Sequence, residues 1–205
     1  MTTPAHLRQA WLDLLSRYGA PPEAAGRAFA ELARRYSEPH RHYHTLDHIA
    51  ALWDLLPGAG AALALAVYLH DAVYDTRAAD NEERSAALAD EMLQPLYIPA
   101  DVRAETRRLI LLTKRHAAAA DDADGYRLLD ADLAVLGAPP DEYDRYAAAI
   151  RREYAWVAED DYRRGRRNVL ENFLRRERLY FTEEVRARRE AQARENLRRE
   201  IGALS

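Results

Sequence analysis

The chain of 205 residues has no cysteine. Disulfides are excluded, and so is any metal site built on thiolates; a metal here has only nitrogen and oxygen to bind. Lysine is nearly absent too. Lys114 stands alone among 30 basic residues, the others being arginine, a bias expected of a G+C-rich genome. Eight glycines and nine prolines are too few for a linker-rich or fibrous chain, and no Gly-rich phosphate loop is present. The longest apolar run, residues 59–69 (AGAALALAVYL), falls short of the roughly 20 residues a bilayer crossing needs. The start, MTTPAHLRQAW, lacks a basic stretch followed by an apolar one, so no secretory signal is read. A net charge of −4 gives nucleic acid no electrostatic footing. The expectation is a cytoplasmic protein without membrane or nucleic-acid partners. Its length suits one domain with a sizeable core.

What is present is helical periodicity, with no alternating strand pattern. Leu7, Trp11, Leu14, Leu15 and Tyr18 recur at three and four, and the stripe stops at Gly19-Ala20-Pro21-Pro22. Further helices are predicted at 22–36, 45–56 (behind Thr45 as N-cap), 60–72, 81–94, 100–116, 124–136, 140–157, 159–179 and 183–203. The expected fold class is all-α: a single-domain helical bundle over 1–205, of about 9–10 helices. The C-terminal third is dense in Arg and Glu. Glu190, Arg194 and Arg198 fall four apart, as on a solvated helix face.

Four of the seven histidines crowd into HRHYHTLDHI, residues 40–49. His44 and His48 stand one helical turn apart and share a face if the helix starts early enough. LAVYLHDAVYD then places His70-Asp71 at the end of an apolar helix, where an unpaired charge is costly. A divalent cation would satisfy both; so would a hydrogen-bonded pair at a helix C-terminus. In LLDADLAVLG, Asp130 and Asp132 project about 200° apart on a helix. Only one of them reaches a given centre, and the other is left to cap, pair or support.

The order His, His-Asp, Asp on successive helices resembles the HD-domain superfamily of metal-dependent phosphohydrolases. RHYHTLDHI, LAVYLHDAVYD, DNEERSA, LLTKRH, LDADLAVLG and GRRNVLENFLRRERLYFT are similar to its uncharacterised bacterial branch. The resemblance implies an HD-type bundle, with a catalytic core at about 40–136 and helices 140–203 packed on it. YHTLDHI also resembles cyclic-nucleotide phosphodiesterases, in which the later histidine binds metal and the earlier one protonates the leaving oxygen. That similarity makes His48 a ligand and His44 the general acid. Related domains use the second Asp of Asp-x-Asp, which favours Asp132. The implied metal set is His48, His70, Asp71 and Asp132, holding one divalent ion (Mn, Fe, Co, Ni, Mg or Zn). Such an ion lowers the pKa of bound water and neutralises phosphate charge. Asp71 or Asp132 would orient the water. Dinuclear relatives add histidines between His-Asp and the last Asp, where this chain has only His116. One ion is therefore expected, with room for a second, water-ligated ion bridged by Asp71.

The other candidates each have a plainer reading. Lys114 and His116 suit a phosphate-binding, catalytic pair or a cationic helix end. Asn81, Glu82, Glu83 and Ser85 suit a substrate contact and a support for His70, or ordinary first-turn polarity; Asp75 belongs with them. Arg41 suits a phosphate clamp or an exposed arginine, and Arg166 a distal substrate contact. His40 and His42 read as solvent-facing or packing residues, and His6 as incidental. Tyr154, Trp156, Tyr162 and Tyr180 read as core. The expected activity is hydrolysis of a small phosphorylated substrate, a nucleotide among the candidates; a homodimer is compatible. The alternatives are an iron oxygenase on the same scaffold and a non-catalytic nucleotide-binding module.

Overall fold

The computed structural model describes residues 4–204, and among them every regular element is helical. Ten α-helices follow in order: α1 (Pro4–Ser16), α2 (Pro22–Arg35), α3 (Leu46–Leu55), α4 (Ala61–Leu69), α5 (Asn81–Leu93), α6 (Ala100–Thr113), α7 (Ala123–Asp132), α8 (Pro140–Glu153), α9 (Glu159–Leu174) and α10 (Glu183–Ala203). Short 3-10 turns cover Gln94–Leu96 and Leu133–Gly137. The all-α expectation therefore holds, helix for helix. No helix among the described residues is long and apolar enough to cross a membrane. The chain divides into two compact units, residues 1–128 and 129–205.

The first unit is organised by α4. Its residues from Leu63 to Leu69 are all buried, because a helix apolar all round gains most when neighbours cover every face. Helices α3, α5 and α6 supply that cover. Leu7, Trp11, Leu14 and Leu15 of the α1 stripe are buried, and α1 packs on α2 and α3. Tyr68 ties these layers together. Its hydroxyl donates to the Leu7 carbonyl at 2.9 Å, and its ring meets Trp11 at 5.1 Å and Trp53 at 5.3 Å. The Tyr36 hydroxyl in turn donates to the Tyr68 carbonyl at 2.9 Å.

In the second unit, α10 packs on the Leu133–Gly137 turn and on α9. Asn196 is fully buried and donates to the carbonyls of Leu136 and Ala138, each at 2.9 Å. Gly137 has no room for a side chain: a Cβ there would lie 2.6 Å from the Arg189 Cβ and 2.7 Å from its carbonyl oxygen. Tyr180 and Tyr162 are buried as expected, whereas Trp156 is 51% exposed. The core assignment of Trp156 is therefore corrected: α8 ends at Glu153, so the helical spacing that placed this ring inward stops before reaching it.

Candidate metal centre

Thr45 sets the start of α3. Its Oγ1 accepts from the Asp47 backbone N–H at 3.3 Å, with Thr45 itself extended. His44 consequently lies before the helix, and His48 lies within it and is buried. The idea that both histidines share one helical face is replaced by a loop arrangement with the rings 5.8 Å apart. His70 follows the last residue of α4, and Asp71 comes next in the turn.

Three side chains of the first unit converge. The Nε2 atoms of His48 and His70 are 3.3 Å apart. Asp71 Oδ2 lies 3.0 Å from His70 Nε2 and 3.6 Å from His48 Nε2. His70 Nδ1 lies 3.1 Å from the Val67 carbonyl oxygen. A carbonyl can only accept, so that contact assigns a proton to Nδ1 and leaves Nε2 as the lone-pair nitrogen. His48 Nε2 faces that lone pair at 3.3 Å, a contact met either by an N–H from His48 or by a metal ion held between the two nitrogens. Around an ion with bonds of about 2.1 Å, neighbouring ligand atoms sit about 3.0–3.4 Å apart. The observed separations are close to that range, so the donor set fits a divalent ion.

Electrostatics point the same way. When the rings carry protons in the place of an ion, burial pushes the Asp71 carboxyl up, but the positive charges of His70 and His44, a hydrogen bond from His70 and the charge of His48 outweigh it. The carboxyl ends below its ordinary range and stays ionised among three imidazoles. His44 stacks on Tyr74 at 4.1 Å and meets Tyr43 edge-on at 5.1 Å.

The two aspartates of LLDADLAVLG separate. Asp130 is buried, and its carboxylate accepts from the Phe181 N–H at 2.7 Å, the Thr182 N–H at 2.8 Å and the Thr182 hydroxyl at 2.5 Å. Thr182 is the N-cap residue of α10, so Asp130 holds the entry to that helix. Asp132 closes α7 and is half-buried.

Several sequence candidates serve the loops instead. Arg41, expected as an exposed residue or a phosphate clamp, is buried and donates to Glu38 and to the carbonyls of His44, Asp71 and Ala72. Asn81 and Asp75 exchange two hydrogen bonds, Asp75 N–H to Asn81 Oδ1 at 3.0 Å and Asn81 Nδ2 to the Asp75 carbonyl at 2.9 Å. Ser85 bonds both backbone groups of Val73. Lys114 donates to the Ala79 carbonyl at 2.9 Å and pairs with Glu83, whose carboxyl that bond holds below its usual range. His116 is half-buried just past α6 with a left-handed backbone, φ 45°. Glu82 is half-buried in the first turn of α5. Arg166, expected near substrate, belongs to the second unit, where it pairs bidentately with Glu200 at 2.8 and 3.1 Å and is largely buried. His40 is exposed and its Nε2 lies 2.8 Å from the Tyr74 carbonyl. The clamping work of Arg41 and Ser85 was not legible from local sequence. The available signal for Arg41 was its place inside HRHYHTLDHI; Ser85 carried none.

No family model, curated protein or solved structure matches the chain.

Proposed function

We propose that the protein is a metal-dependent phosphohydrolase of the HD type, acting on a small phosphate ester, with nucleotides the first substrates to test. The observation that carries this reading is the convergence of His48, His70 and Asp71. The resemblance adds Asp132, the last residue of α7, as a proposed further ligand. A bound divalent ion supplies Lewis acidity toward the phosphate and a more acidic water. The chain's own groups do the rest. The His70 contact with Val67 keeps one nitrogen in its lone-pair form. Asp71, ionised at neutral pH, can orient a water by accepting its hydrogen bond. His44, held by Tyr74 and Tyr43 beside the ligand residues, suits proton delivery to a leaving oxygen at near-neutral pH.

The test is a panel of phosphomonoesters, phosphodiesters and nucleotides, run with Mn, Fe, Co, Ni, Mg and Zn, beside metal analysis of the purified protein. The expected result is hydrolysis that disappears on chelation and returns with one of the ions. Hydrolysis that persists in chelator, or a chain that takes up no ion, would sink the proposal.

A further inference from the structure

We infer that Arg41 is a positioning residue of the metal centre, locking the loop before α3 to the turn after α4; the inference rests on the metal reading above. Its side chain is fully buried, although an arginine would ordinarily keep its charge in water. Burying a guanidinium is unfavourable unless its N–H groups are satisfied. Here Nε donates to Glu38 at 3.0 Å, and Nη1 donates to the His44 carbonyl at 3.2 Å and the Asp71 carbonyl at 2.7 Å. Nη2 donates to the Ala72 carbonyl at 3.3 Å. The rings of Tyr36 and Tyr74 lie 5.1 and 5.4 Å from the guanidinium carbon, within cation–π range.

The connectivity gives these contacts their meaning. The His44 carbonyl belongs to the segment leading into α3, which carries His48. The carbonyls of Asp71 and Ala72 belong to the turn after α4, which carries His70. One rigid planar fork therefore spans both segments that bring ligands together. It grips Asp71 by its backbone while the carboxylate faces His48 and His70. Ser85 holds the same turn one step further on, at Val73. The charge that resembled a phosphate clamp is turned toward the protein's own carbonyls.

Arg41→Met, close in length but uncharged, and Arg41→Lys, which keeps the charge without the fork, test this. Cobalt(II) is the probe: its visible absorption reports coordination directly, and circular dichroism reports folding. Wild type is expected to develop cobalt bands that Asp71→Asn loses. Arg41→Met is expected to stay helical but bind cobalt about 10–100-fold more weakly, as removal of supporting partners does. Arg41→Lys should recover only part, since an ammonium cannot grip several carbonyls in one plane. If Arg41→Met is merely less stable, with cobalt affinity and band positions unchanged, Arg41 is structural and the inference is overturned while the metal reading stands. If Arg41→Met does not fold, unchanged affinity in Arg41→Lys overturns it equally. A wild type that binds no cobalt or other divalent ion overturns both.

Discussion

His44 and His48 are four residues apart, yet their surroundings differ. His48 sits inside α3, buried, with its Nε2 aimed at His70 and Asp71. His44 precedes the helix and lies half-buried against two tyrosine rings. His48→Ala is therefore expected to strip the ion, seen as lost metal content. His44→Ala should keep the ion and slow hydrolysis by about 10²–10⁴-fold, the usual worth of a positioned acid or base. Loss of metal in His44→Ala alone would reverse the two roles. The aspartates divide in the same manner. Asp130 accepts two backbone N–H groups and a hydroxyl at the start of α10. Burial pushes its carboxyl up, against the hydrogen bonds from Thr182 and Phe181 that favour the charged form. In Asp130→Asn one oxygen becomes an NH2 facing a donor, so unfolding stability should fall by about 1.5–3 kcal/mol, the worth of a hydrogen bond to a charged group. Metal content should not change. A denaturant titration beside metal analysis reads both outcomes, and loss of the ion in this variant would mean that the wrong aspartate has been assigned.

At the scale of elements, the helices were legible because apolar spacing is a property of the local sequence. Leu63 to Leu69 announced α4 without any tertiary knowledge. The ends were less legible, because they depend on caps and turns rather than on periodicity. Expected ends at 72, 116, 157 and 179 are observed at Leu69, Thr113, Glu153 and Leu174. The His70-Asp71 turn, the left-handed backbone at His116 and the turn after Glu153 each stop a helix whose residues would tolerate continuing. Charge on a helix surface gives a small, testable contribution. Glu31 on α2 bonds Arg34 and Arg35 at 2.7–2.8 Å. The Arg34 hydrogen bond, opposed by slight burial and aided by the charges of both arginines, lowers the Glu31 pKa to about 2. A depressed carboxylate stabilises the fold above its unfolded value near 4.5 and loses that effect as pH falls toward 2. The group is over a third exposed, so solvent screening limits Glu31→Gln to under about 1 kcal/mol at pH 7. The difference between wild type and variant should vanish by about pH 2 and shrink in high salt. Thermal melts across that range decide it, and a gap that widened toward low pH would reverse the assignment.

For the whole molecule, the candidate site was only partly legible. His48 and the His70-Asp71 pair lie far apart in sequence, and no periodicity connects them; a family-like order of residues did. Arg41 was misread because burial is a tertiary fact. Nothing local distinguishes an arginine in a polar loop from one folded beneath two tyrosines. Metal binding should show at this scale as stability, since the ligand atoms converge only in the folded chain. An ion present at a hundred times its Kd, with no affinity for the unfolded chain, adds about 2.7 kcal/mol. For a chain of this length that raises the melting temperature by about 5–10 °C. The shift has a defined pH sense. His48 and His70 must present neutral nitrogens to the ion, so protons compete for them as the pH falls. Asp71, held below its ordinary range, remains ionised and does not cause the loss. Scanning calorimetry with and without the ion should therefore show a large shift at pH 7.5 and a much smaller one at pH 5.5. Asp71→Asn should remove it at both. A shift that survives in that variant would place the ion elsewhere on the protein, and one that is unchanged at pH 5.5 would argue against histidine ligands.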